Sequence, residues 1–270
     1  MDSWRTPTFS SLAIEARKVV RSVQSRRFVR DTSHQIGAPV RRRLGHPLLQ
    51  EITTQSEART FTDPELCLNQ FFGIPPTFVA ESARELVALR EELERRVADA
   101  GHLPYPSYFA ADNSTTSVLY TLTRYRKPQH IVETGVANGF TSYFLLAALR
   151  NNGLGVLHSI DIGDDVGAVV SGEEREGWDL HVAHPRRVDD KLRALCASVA
   201  EIDLFFHDSD HRYGWQLFEF REALAHLAPG GILGSDDVDS SFAFIDFCRE
   251  QPMRRALLID ATKVSGYLVS

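Results

Sequence analysis

The chain has 270 residues, 43% of them hydrophobic, and a formal net charge of −6, enough to bury a full core as one large domain or one domain with an appendage. No run approaches the roughly 18 consecutive apolar residues of a membrane span. The three cysteines, Cys67, Cys196 and Cys248, are odd in number and far apart, which argues against a disulfide framework or a zinc cluster and for a reducing, cytoplasmic setting.

Charge is unevenly spread. Residues 1–43 carry ten Arg/Lys against Asp2, Glu15 and Asp31, a local +7 that leaves −13 for the rest. The body is therefore acidic and poorly suited to following a nucleic-acid backbone. Within the basic segment Leu12, Ala16, Val19, Val20 and Val23 recur at helical spacing. That pattern fits a helical arm packed on its own domain or on a second subunit, and also an organellar transit peptide or membrane-surface helix.

Residues 44–76, with Gly73, Pro75 and Pro76, read as a linker with short helical pieces. A long helix is expected from Thr77 to about Ala100, its stripe formed by Phe78, Val79, Leu86, Leu89 and Leu93 and its end marked by Gly101. In the loop GHLPYPSYF that follows, Tyr105 and Tyr108 are available to wall a ligand or to pack on the domain. From residue 113 helices and strands alternate. Helix 114–126, strand 130–134 (HIVET), helix 141–151, strand 156–161 (VLHSID), strand 179–183, helix 189–199, strand 202–207 (IDLFFH), helix 214–227, strand 231–235 and helix 241–250 follow in turn. This order predicts right-handed crossovers and a parallel sheet covered on both faces. Strands 256–260 and 264–269 have only Ala261, Thr262 and Lys263 between them, too few for a parallel crossover, so they pair antiparallel.

In such sheets ligands gather at the carboxyl ends of the strands. After HIVET comes VETGVANGFTS, with Glu133, then Gly135 for a tight turn and Gly139 for close approach at a helix start. Ala137 stands where a dinucleotide fingerprint has its second glycine, which disfavours a dehydrogenase. Asp161 ends the next strand, 22 residues after Gly139, a place from which a carboxylate accepts ribose hydroxyls.

Together VETGVANGFTS, HSIDIG, IDLFFHDSDHRY and LAPGGILGSDDV resemble the class I S-adenosylmethionine-dependent methyltransferases, in particular the small-molecule branch related to cephalosporin-pathway and macrolide-sugar O-methyltransferases. The resemblance covers residues 105–270, leaving 1–104 as a helical N-terminal arm and cap region. It implies a Rossmann-like, doubly wound α/β sheet of seven strands in the order 3-2-1-4-5-7-6, strand 7 antiparallel. It implies that Glu133, Gly135 and Gly139 hold the methionine end of the cofactor and Asp161 its ribose. Where relatives carry a Gly-Asp pair for adenine, this chain has Ala183 and His184.

On that sheet Asp208 faces the reacting end of the cofactor, and Asp236 and Asp237 follow the neighbouring strand. Three converging carboxylates repel unless a cation joins them, and an all-oxygen donor set suits Mg²⁺. The resemblance implies the same metal residues, and it implies a basic residue at His211, read as the general base beside Asp208. His207 is expected to point away from Asp208, and Asp210 is left between metal ligand and helix cap. The reading is a magnesium-assisted O-methyltransferase acting on a sugar or phenol hydroxyl in natural product biosynthesis, with no nucleic-acid partner and a homo-oligomeric assembly. Its alternatives are a metal-independent S-adenosylmethionine enzyme with His211 as base, one catalysing a different reaction, or a non-catalytic binder of the same cofactor.

Overall fold

The computed structural model describes residues 47–106, 109–260 and 263–270. The basic arm with Leu12 to Val23, and Tyr108, lie outside the described residues. Within 44–76 the chain forms α1 (Pro47–Gln55), a three-residue strand β1 (Arg59–Phe61), and a helical turn Pro64–Leu66 that runs into a π-helical turn Cys67–Phe71. The strand is a departure from the linker expected there. Arg59, Thr60 and Phe61 are too few to show a period, and their ladder partners lie near residue 257.

The long helix α2 (Pro76–Ala100) starts on a proline, which loses nothing at a first turn whose amides have no helical partner. Val79, Leu86 and Leu93 are buried along it, and Gly101 ends it at φ +62°. Then come α3 (Asn113–Arg126), β2 (His130–Thr134), α4 (Phe140–Asn152), β3 (Val156–Asp161), β4 (Trp178–Val182), α5 (Val188–Val199), β5 (Ile202–His207), α6 (Tyr213–Ala225), β6 (Leu227–Ser235), α7 (Ala243–Glu250), β7 (Arg254–Ile259) and β8 (Val264–Val269). Asp112 caps α3 by accepting from Thr115 N at 2.8 Å.

The eight strands run β1-β7-β8-β6-β5-β2-β3-β4, with β8 antiparallel to both neighbours and the other pairs parallel. Counted from β2, the seven expected strands stand in the order 3-2-1-4-5-7-6, and β1 adds one more at the β7 edge. One detail differs. The strand expected over 231–235 starts earlier, at Leu227, and Pro229, Gly230 and Gly231 lie inside it as a bulge: Ile202 pairs with Leu227, and Leu204 with Ile232.

Period-two alternation divides the core into two layers. Ile131, Leu157, Leu204 and Phe206 join α2, α3 and α4 on one face, whereas Val132, Ile160, Phe205 and Leu233 join α1, α5, α6 and α7 on the other. Phe205 and Phe206, adjacent in sequence and both fully buried, thus anchor opposite faces. Each contributes about 1.5–3 kcal/mol of burial. This fixes the pleat of β5, and with it the directions of the residues at its carboxyl end. Cys67, Cys196 and Cys248 are buried and unpaired, and no helix among the described residues is long and apolar enough to cross a membrane.

Candidate active site

The central strands end at one level, and single backbone bonds carry the ladder one residue past them. Gly135 N donates to Ile160 O (2.9 Å), Asp208 N to Thr134 O (2.8 Å) and Asp236 N to His207 O (2.9 Å). Gly135, Asp208 and Asp236 are thereby aligned along the rim of the sheet. At Gly135, φ is +82° and a Cβ would stand 2.2 Å from the Asp208 carbonyl oxygen, so both the turn and the approach of its neighbour require glycine. Gly139, at φ +86°, packs against the Gly167 backbone. Ala137 adopts φ +47°, the left-handed conformation that a glycine would take without strain.

Glu133, at the end of β2, is fully buried. Its Oε2 accepts from Ser142 Oγ and Ser159 Oγ, both at 2.7 Å, while its Oε1 has no partner. Burial pushes its carboxyl up to about 7, against the pull of the two serine hydroxyls. Asp161 Oδ2 accepts from Val136 N (2.6 Å) and Ala137 N (3.1 Å), and Oδ1 from Gly163 N (2.8 Å). A carboxylate has about four acceptor positions. With three used in holding the turn, one acceptor position of Asp161 remains open.

The 101–106 loop closes over this turn. Tyr105 N donates to Asn138 Oδ1 (3.1 Å) and Asn138 Nδ2 returns a bond to Tyr105 O (2.8 Å). A small crevice remains, lined by Phe109, Val136, Ala137, Asn138, Thr141 and Asp208. It joins the turn after β2 to the end of β5. Ala183 is buried, and His184 is exposed and accepts from Arg186 N at 3.1 Å, a bond within its own turn.

At the end of β5, His207 is fully buried and in contact with the site. Its Nδ1 is 2.6 Å from Glu219 Oε2 and its Nε2 3.2 Å from His211 Nδ1. Glu219 also accepts from Thr134 Oγ1 (2.5 Å) and Ser209 Oγ (2.8 Å). An ionised Glu219 accepts the Nδ1 proton of His207, leaving His207 Nε2 to accept from His211 Nδ1–H. His211 Nε2 then carries its lone pair toward Asp237 Oδ2 (3.7 Å) and Asp208 Oδ1 (4.0 Å). Burial, and then the neighbouring His207, depress the His211 pKa to about 3, so the ring is neutral. Asp210 accepts from Arg212 N (3.1 Å) and Arg212 Nε (2.6 Å), just ahead of α6, and makes no cap bond to the first turn of that helix. Tyr213 donates to Asp246 at 3.0 Å and Trp215 to Ser209 at 3.1 Å.

Two residues at this rim have no signal in their local sequence. Glu219 lies in the middle of α6, and Lys263 in the turn between β7 and β8. Because β8 is antiparallel, its amino end lies beside the carboxyl end of β6, with Ser235 opposite Gly266. Lys263 Nζ stands 2.5 Å from Asp236 Oδ2 and 3.6 Å from Asp237 Oδ2. Asp236 is fully buried, and Asp236 Oδ1 and Asp237 Oδ1 lack partners. Burial, followed by the charge of Asp236, raises the Asp208 carboxyl well above its ordinary range. The donor oxygens of Asp208, Asp236 and Asp237 do not form a metal-sized cluster. Among the described residues the group whose donor atoms all fall within 4.8 Å is His158, Asp179 and His181, on β3 and β4.

Residues 132–238 match the family model of a methyltransferase domain. Among solved structures, the O-methyltransferase TomG from Streptomyces achromogenes, involved in tomaymycin synthesis and solved with SAM, superposes with a TM-score of 0.50 at 16% identity over 68% of this chain and 89% of that one. The SAH-bound methyltransferase PaMTH1 from Podospora anserina gives 0.50 at 18% identity, over 68% and 88%. No curated protein matches in sequence. The sheet has the Rossmann-like fold of these solved methyltransferases, and the stretch matched by the family model runs from β2 to just past β6.

Proposed function

We propose that the protein transfers a methyl group from S-adenosylmethionine to a hydroxyl of a small natural product, a sugar or a phenol. The observation that carries this is the crevice between the turn after β2 and Asp208, with His211 Nε2 standing 4.0 Å from Asp208 Oδ1. The residues fit the cofactor. Glu133 keeps a buried, unpartnered oxygen that a cationic amine satisfies, Asp161 has one acceptor position left for a ribose hydroxyl, and Gly135 and Gly139 let the turn close. Asp208, next along the rim, lines the reacting end.

Bound S-adenosylmethionine supplies an electrophilic methyl carbon: the new O–C bond forms as the S–C bond breaks, and the electron pair stays on sulfur. The chain supplies position and proton control. His211 Nε2 accepts the hydroxyl proton, and Asp237 Oδ2, 3.7 Å away, stabilises the imidazolium that results. Glu219 and His207 hold the tautomer that makes this possible. The magnesium ion implied by the resemblance does not fit the carboxylates as they stand, since Lys263 occupies the space between Asp236 and Asp237, so no step is assigned to it.

The test is transfer of labelled methyl from S-adenosylmethionine to a panel of phenols and sugars, read by product mass. Singly methylated ether products, absent with His211→Ala, support the reading; a folded protein that binds the cofactor but labels no acceptor oxygen, or labels nitrogen or carbon, contradicts it.

A further inference from the structure

We propose that Lys263 is the resident cation of the active site, holding the place between Asp236 and Asp237 that the resemblance gives to a divalent metal, so that the enzyme works without one. The inference rests on the methyl-transfer reading for its purpose but on the lysine's own geometry for its substance. Lys263 is 7% exposed, although a lysine in the connection between β7 and β8 has every opportunity to extend into water. Instead its stem folds inward. The ammonium meets Asp236 Oδ2 at 2.5 Å and Asp237 Oδ2 at 3.6 Å, and the charge of Asp208 acts on it as well.

The backbone holds it there. Val238 N donates to Val264 O (2.9 Å) and Asp260 N to Lys263 O (2.9 Å), which clamp the turn against the chain leaving β6. Thr115 Oγ1 and Ser265 Oγ are 2.5 Å apart, tying the start of β8 to α3. The side chain therefore enters the site from a braced position.

A divalent ion and this ammonium exclude each other. Mg²⁺ demands six oxygens at roughly 2.0–2.1 Å, an arrangement that needs Asp236 Oδ2 or the space beside it, and two cations at such spacing repel. The ammonium differs in having three N–H donors and no open coordination position. It fixes Asp236 and Asp237 and lends the rim a positive charge opposite an oxygen that becomes negative as its proton passes to His211. Lys263 is thus a positioning residue, acting through the two aspartates.

Mn²⁺ titration of the full-length protein, followed by the electron paramagnetic resonance of the free ion, decides the matter without requiring turnover. Wild type is expected to show no Mn²⁺ site that Asp236→Asn removes, any binding at His158, Asp179 and His181 being unaffected by that change. Lys263→Met is expected to gain one site, at least about tenfold tighter than any in wild type and lost again when Asp236→Asn is added. A lysine with a merely structural role would open no such site. One Mn²⁺ bound by wild type and released by Asp236→Asn overturns the proposal, as does a folded Lys263→Met that binds none; should Lys263→Met fail to fold, the wild-type titration alone decides. S-adenosylhomocysteine titrated into the same samples reports separately on methyl transfer: its failure to bind wild type would sink that reading and leave the metal result standing.

Discussion

His207 Nε2 stands 3.2 Å from His211 Nδ1, with Glu219 Oε2 at 2.6 Å on the far side of the same ring. Only one tautomer at each ring satisfies an ionised Glu219, and it leaves His211 Nε2 bare at the rim. Replacing His211 by alanine is expected to lower kcat by about 10²–10⁴-fold with cofactor affinity nearly unchanged, the range for loss of a general base. Glu219→Gln should cost less, about tenfold, because the amide still bonds to His207 while no longer selecting its tautomer. Steady-state kinetics beside calorimetry separate the two effects, and full turnover in His211→Ala would show the relay to be idle.

Gly135 admits no side chain. A Cβ there would meet the Asp208 carbonyl oxygen at 2.2 Å, a backbone atom that cannot rotate aside, and φ is +82°. Gly135→Ala is expected to destabilise the fold by about 3 kcal/mol or more and to displace Asp208. Thermal melts check the first part and cofactor titration the second; a variant with wild-type melting would mean that the turn tolerates another path.

Glu133 makes apo stability pH-dependent. Its folded pKa is raised to about 7, above the ordinary carboxylate value, so between these values the folded state binds more protons than the unfolded chain. Stability contributed by the protonated form is therefore present at low pH and lost as pH rises toward 7. The melting temperature of the apo protein should fall between about pH 5 and 7.5, by less in Glu133→Gln. Bound cofactor, bringing a cationic amine, should flatten the wild-type profile as well.

Arg96 links the helical region to the cofactor side of the sheet. From α2 it donates to Val169 O (3.0 Å) and Glu174 Oε1 (2.8 Å), and to Glu92 on its own helix (2.7 Å). The neighbouring loop in turn bonds to the cofactor turn, Gly167 N to Ala137 O and Val169 N to Asn138 O. Arg96→Ala should destabilise by about 1–3 kcal/mol, and Arg96→Lys by nearly as much because an ammonium lacks the planar fork. Hydrogen exchange should rise first across residues 163–171; unchanged exchange there would show that the loop is held by other contacts.

Legibility in the sequence followed how local each signal is. HIVET, VLHSID and IDLFFH match β2, β3 and β5 residue for residue, because each is a short apolar run bounded by turn formers and closed by an acid or a polar end. The turn at Gly135 and the rim carboxylates followed from those strand ends. β1 did not, since three residues show no period and its partner is nearly 200 positions away. His207, read from the pleat as pointing away from Asp208, bonds to Glu219 and His211, two partners the pleat alone does not name. Glu219 and Lys263 carry no motif: one enters from mid-helix, the other from a hairpin turn that only the antiparallel β8 brings to the rim. Asp210, undecided in sequence, bonds to Arg212 two residues on.

The most direct measurement of the central claim is calorimetric titration of S-adenosylhomocysteine into the full-length protein, wild type and Glu133→Ala. The account predicts one site per chain in wild type and an affinity lower by about 100-fold in the variant, since the buried acceptor for the ligand's amine is gone. No heat from a folded wild-type protein, or equal affinity in the two, would contradict it.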